Sequence, residues 1–109
     1  MPRKKLCLDF DGVLHAYSRG WHDGTIYDDP VPGAVEAVLA LHERYDIVIS
    51  TCRQDLDAIR EWMIEHFGLR FLVTNEKPIA HLYLDDRGLH FDGDWDAAST
   101  AIVARLEGE

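Results

Sequence analysis

Two cysteines in 109 residues, Cys7 and Cys52, are too few for a disulfide framework, and Cys7 sits inside an apolar run where a small core side chain belongs. That scarcity suits a reducing, cytoplasmic setting. Long apolar runs are missing as well: none approaches the length of a membrane span, so no membrane partner is expected. The basic start MPRKK is like the opening of a secretory signal, but acids at positions 9 and 11 interrupt the apolar stretch that such a signal needs. Basic residues are in short supply, 11 against 20 acids, for a formal net charge of −9. That balance opposes a sequence-independent grip on phosphate backbones and disfavours nucleic acid as a partner. Repeats and biased tracts are also lacking, which leaves one domain over residues 1–109 with a single modest core and no room for a large separate lid.

What the chain does contain is a series of short, continuous apolar runs. Residues 5–9 (KLCLD), 46–50 (DIVIS), 70–74 (RFLVT) and 81–85 (HLYLD) read as strands, and continuous rather than alternating runs suit parallel strands buried on both faces. Between them lie helical patterns. One opens at Pro32 and carries Val35, Val38 and Leu39 on one face; a second carries Leu56, Ile59, Met63 and Phe67 and stops at Gly68; a third begins near Asp96, its N-cap, and aligns Ala98, Ile102 and Leu106. This order predicts an α/β, Rossmann-like, doubly wound sandwich of three layers around a central parallel sheet. Residues 15–29 break the pattern with turn residues at Gly20 and Asp23-Gly24 and aromatics between them, which predicts a β-hairpin flap after the first strand. A second hairpin is predicted at LHFDGDW, turning at Asp92-Gly93.

Two of the apolar runs end in paired acids, Asp9 with Asp11 and Asp85 with Asp86. Acids at i and i+2 on extended chain point to one side, about 6 to 7 Å apart. If parallel strands bring both pairs to one sheet edge, four carboxylates converge, and their repulsion calls for a cation. Oxygen-only donors with open positions describe Mg²⁺, which commonly sits beside phosphate. Phosphoryl transfer further needs positive charge and hydrogen-bond donors, and Lys77, with Thr51 or its neighbour Ser50 at the end of the second strand, can supply them. Arg53 is a candidate for binding substrate phosphate. His15, His22, Tyr17 and Trp21 are candidates for touching substrate from the flap, although aromatics also hold hairpins together.

The series Asp9-Phe10-Asp11-Gly12-Val13, IVIST ending in Ser50-Thr51, Lys77, and YLDD ending in Asp85-Asp86 resembles, in order, the four motifs of the haloacid dehalogenase superfamily. The resemblance covers residues 6–88 and implies a capless member of the phosphatase branch. It implies Asp9 as nucleophile and Asp11 as general acid and then base. It further implies Mg²⁺ held by the Asp9 side chain, the Asp11 backbone carbonyl and a motif-four acid, directly through Asp86 and through water at Asp85. Thr51 is favoured for motif two because TCR resembles the Thr-x-Arg form of relatives. The expected activity is hydrolysis of a phosphate monoester, small or large, with an open site that a homo-oligomeric partner can close. The competing expectations are a phosphotransferase, and a regulatory or non-catalytic phospho-acceptor module; receiver domains, which use similar residues, place the lysine last.

Overall fold

The structure of the chain is a computed structural model that describes residues 3–21, 23–76, 78–84 and 89–107. Its elements follow the predicted order: β1 (Lys5–Asp9), α1 (Ala34–His42), β2 (Asp46–Ser50), α2 (Leu56–Phe67), β3 (Leu72–Thr74), β4 (Leu82–Leu84) and α3 (Trp95–Glu107). The four strands form one sheet in the order β3-β2-β1-β4, every pair parallel. Leu6 and Leu8 of β1, Ile47 and Ile49 of β2, Val73 of β3, and Leu82 and Leu84 of β4 join one core with the buried residues of all three helices. In strands of fixed two-residue period these positions share one face. Because α1 packs against both α2 and α3, the three described helices form one layer on that face. The coarse prediction of a parallel α/β sheet is met; among the described residues no helix covers the other face.

What lies over that other face is the connection from β3 to β4, which must pass two strands to reach the far edge. Tyr83, in register with Cys7, donates its hydroxyl hydrogen to the Pro78 carbonyl and accepts from the Ala80 N–H at 2.9 Å. Cys7 and Val48, in register with each other on this face, are almost fully buried, whereas Leu72 at the β3 edge is 64% exposed and Ile79 on the connection 93%. A strand run reads as continuous whether a helix or a loop covers its second face, which is why the sequence predicted a third layer.

Helix ends follow local chemistry with small shifts from expectation. The Asp55 carboxylate caps α2 by accepting the Ala58 N–H at 3.1 Å, and Gly68 ends it in the left-handed region as predicted. In α1 the first helical residue is Ala34 rather than Pro32, and the buried face is Ala34, Val38 and Leu41 rather than one centred on Val35 and Leu39. Gly33 precedes it at φ 86°, where an added Cβ would stand 3.3 Å from the Trp95 Cβ, so both the dihedral and the close approach require glycine. In α3 the cap is Asp94, accepting the Ala97 N–H at 3.1 Å, not Asp96. The hairpin predicted at LHFDGDW is absent: Asp92 accepts the Asp94 N–H, an Asx turn that leads straight into the helix.

Candidate active site

The chain leaves β1 at Asp9, at the C-terminal edge of a central strand. Asp9 is in register with Ser50, and Ser50 with Thr74, so the three occupy one row on the face away from the helices. The Asp9 Oδ1 accepts the Phe10 N–H at 3.0 Å, and the same N–H reaches the Ser50 carbonyl at 3.0 Å. Phe10 then turns into the core and is fully buried. Its carbonyl accepts the N–H groups of Leu14 and His15, both at 3.0 Å, while Gly12 donates to the His15 carbonyl at 2.8 Å. This compact turn holds Gly12 at φ 85°, a conformation costly for any other residue.

Asp11 stands on that turn inside a buried cluster. Arg53, only 5% exposed, grips it with a two-pronged fork: Nε donates to Oδ2 at 2.9 Å and Nη2 to Oδ1 at 3.0 Å. The remaining Arg53 amino group, Nη1, donates to the Gly24 carbonyl at 2.7 Å, and the guanidinium lies 4.9 Å from the centre of the Trp21 ring. His15 Nδ1 is 2.9 Å from Asp11 Oδ1. The Asp28 backbone N–H donates to His15 Nε2 at 3.0 Å. A nitrogen that accepts carries no hydrogen, so the imidazole proton is on Nδ1 and is donated to Asp11.

Residues 16–31 occupy the flap position, and among the described residues they form no hairpin ladder. Two backbone bonds at the base, Ala16 N–H to the Asp29 carbonyl at 3.2 Å and Val31 N–H to the Leu14 carbonyl at 2.8 Å, flank an isolated antiparallel bridge between His15 and Pro30. Beyond them side chains replace the ladder. Asp28 Oδ2 accepts both the N–H and the hydroxyl of Ser18 at 2.7 Å, and these bonds pull its carboxyl below the usual aspartate range. The Tyr27 hydroxyl accepts from Arg19 N–H and donates to the Gly20 carbonyl, and Arg19 stacks 4.3 Å from the Tyr27 ring centre. The predicted turns at Gly20 and Gly24 are present, each closing on a carbonyl three residues back. A buried indole fixes the loop to the helix layer, since Trp62 Nε1 of α2 donates to the Asp28 carbonyl at 3.2 Å. Another, Trp95 Nε1 of α3, donates to the Val13 carbonyl at 3.0 Å and fixes the turn.

These contacts revise two expected roles. His15 is fully buried with both ring nitrogens engaged inside the chain, which leaves no atom of it for substrate. Arg53 is neither a surface ion pair nor an open phosphate ligand; its fork is spent on Asp11. Thr51 is buried, its Oγ1 accepting the Arg53 N–H at 3.0 Å, so it forms a local turn and does not cap α2. Ser50, the alternative for motif two, is the one in register with Asp9. Trp21 is 54% exposed and walls a groove of about 670 Å³ between the flap loop and α2, with Arg53 and Trp62 also lining it. Cys52 is exposed, and Tyr17 takes φ 58° against the His15 ring. Trp62, Trp95 and Tyr27 were not foreseen in the site. The only signal for Trp62 is its position beside the Ile59–Met63 stripe.

Lys77, Asp85, Asp86 and His22 lie outside the described residues. Among the described residues no group of three or more His, Cys, Asp or Glu is arranged to hold a metal. The hard oxygen donors at the β1 edge are nevertheless of the type Mg²⁺ takes, and β4 ends with Leu84 in register with Leu8, the residue before Asp9. The Asp11 side chain is already engaged by Arg53 and His15, which leaves its backbone carbonyl as the oxygen it would offer a cation. Among the described residues no helix is long and apolar enough to cross a membrane. No protein-family model matches the chain, and no curated protein matches it.

Proposed function

We propose that the chain is a capless, Mg²⁺-dependent phosphatase, similar to the haloacid dehalogenase superfamily, that hydrolyses a phosphate monoester through an aspartyl-phosphate on Asp9. The observation that carries this reading is the pairing of two differently treated acids on one strand end. Asp9 leaves the sheet in a row with two hydroxyl residues, while Asp11 is braced by a guanidinium and an imidazole. Nucleophile and proton-transfer group need such different environments. In the first step an Asp9 oxygen bonds to phosphorus in line with the departing ester oxygen, which takes a proton from Asp11. In the second, Asp11 takes a proton from water as its oxygen bonds to phosphorus, releasing inorganic phosphate and Asp9. Ser50 and Thr51 donate hydroxyl hydrogens to the phosphoryl oxygens, and Lys77 contributes positive charge. Asp9, the Asp11 carbonyl and Asp86, with Asp85 through water, would hold Mg²⁺, and the ion would supply neutralisation of phosphoryl charge.

The test is release of phosphate from p-nitrophenyl phosphate by purified protein with Mg²⁺ or with chelator, beside Asp9→Asn. Turnover that needs Mg²⁺ and falls by at least about a thousandfold in Asp9→Asn is expected, as for loss of a covalent nucleophile. Asp9→Asn turnover close to wild type removes Asp9 from the role. One observation favours a second reading. The carboxylate oxygens of Asp11 both accept from Arg53, and Oδ1 from His15 as well, so the group that activates water is largely engaged within the chain, and an acyl-phosphate that persists describes a regulatory phospho-acceptor or a phosphotransferase. Label from a small phosphoryl donor that stays on Asp9 through gel filtration, without turnover, identifies that case.

A further inference from the structure

The site contains one buried titratable ring for which hydrolysis has no direct use. We propose that His15 is a positioning residue: its Nδ1–H shares Asp11 Oδ1 with Arg53 and so holds the carboxylate in the rotamer that leaves Oδ2, with Arg53 as its one partner among the described residues, to exchange a proton with the ester oxygen and with water, and the Asp28 backbone N–H fixes the tautomer that lets it do so. This rests on the phosphatase reading above and adds a residue to it.

Three features set His15 apart from an ordinary core histidine. The ring is held on its faces and edges by aromatics, stacked on Phe10 at 5.5 Å and 20° and edge-on to Tyr27 at 5.1 Å and Trp62 at 5.8 Å, so it cannot rotate without unpacking the turn. Each nitrogen has one partner of defined polarity, a donor at Nε2 and a carboxylate at Nδ1, and the two bonds together admit a single tautomer. The donor at Nε2 is a main-chain group of the flap loop, itself held by Trp62, while the acceptor is a side chain of the strand-end turn. The imidazole therefore couples the position of the flap to the orientation of Asp11. Arg53 shares the task, since its fork holds both Asp11 oxygens and its remaining amino group reaches Gly24 of the same loop; His15 adds the second, independent bond to Oδ1. Orienting groups of this kind, which hold a proton-transfer residue without touching substrate, act by keeping it within reach of the reacting atom.

A misplaced general acid matters in proportion to how badly the leaving group needs a proton. His15→Phe keeps a ring in the aromatic clamp and removes both hydrogen bonds; His15→Asn keeps a donor near the Nδ1 position. With p-nitrophenyl phosphate, whose leaving group departs without protonation, His15→Phe is expected to lose less than about tenfold in kcat, and with an alkyl phosphate about a hundredfold or more. His15→Asn is expected to recover most of the alkyl phosphate rate. Equal losses on both esters in a folded variant overturn the positioning role and leave the phosphatase reading standing. No turnover of either ester by the wild type overturns both. If neither variant folds, the ¹⁵N imidazole spectrum of the wild type decides: a proton on Nδ1 and a bare Nε2 are expected, and the opposite tautomer overturns the proposal.

Discussion

The connection leaving β1 and the connection leaving β3 for β4 both start at the C-terminal edge of the sheet but are held in opposite ways. The first, residues 10–33, has almost no regular backbone pairing and is anchored by buried side chains: Arg53 to Gly24, His15 to Asp28, Trp62 to Asp28 and Trp95 to Val13. The second, from β3 to β4, is short, carries an almost fully exposed Ile79, and is tied by the Tyr83 hydroxyl to Pro78 and Ala80. Order in an irregular segment comes from whatever satisfies its backbone groups. In the first connection those partners come from two helices, the β2–α2 connection and the strand-end turn, and two of them, Arg53 and His15, also hold Asp11. In the second they are local: a phenol on the strand it enters, Thr74 where it starts and Lys5 beside its end.

The sharpest way to break this contrast is Arg53→Met, which keeps the bulk of the stem but removes the fork. Asp11 then keeps only His15, and the Gly24 carbonyl loses its donor. Breaking a buried ion pair by removing one partner costs about 3–5 kcal/mol, and the 20% exposure of the Asp11 side chain puts this case near the low end, about 3 kcal/mol. Urea unfolding measures it. Adding Asp11→Asn to Arg53→Met is expected to restore part of the loss, because the uncompensated charge goes with it; full additivity would mean that the pair does not couple. Tyr83→Phe addresses the other connection. It removes one donor and one acceptor from a half-buried place, and about 1 kcal/mol is expected, with faster amide exchange at Ala80 and unchanged exchange in residues 16–31. A loss of protection in the flap loop would show that the two connections are coupled.

The contrast also explains what could be read from the residues. Strands β1 and β2 were legible to the residue because Leu6, Cys7 and Leu8, like Ile47, Val48 and Ile49, are buried on both sides, whichever element does the covering. The end of α2 was legible because Gly68 must supply a positive φ. The flap was misread because Asp23-Gly24 does make a turn, while the flanking residues bond through Asp28, Tyr27 and Ser18 side chains, which leave no alternating pattern. Asp9 and Asp11 were visible as a pair, but their separation into a strand-end group and a braced group depends on Arg53, 42 residues away, and spacing in the chain says nothing of that contact. His15 was visible as a flap residue, and only the turn at Phe10 reveals that its ring points inward.

The smallest expected effect sharpens the comparison from its open side. Ile79 is 93% exposed, so Ile79→Ser removes a side chain that touches little and should change stability by no more than about 0.5 kcal/mol. Leu72, 64% exposed at the free edge of β3, is the other large apolar side chain on this part of the surface. An isolated exposed apolar residue is ordinary, whereas one that stabilises the fold must be covered by something. Melting Ile79→Ser and the wild type at two protein concentrations separates the cases. Equal melting temperatures at both concentrations fit a surface side chain in a self-sufficient chain. A wild type that melts higher when concentrated, with the increment lost in Ile79→Ser, means that a second copy covers this connection, and the weakly held loop then gains in the assembly the anchoring that the flap loop already has within the chain.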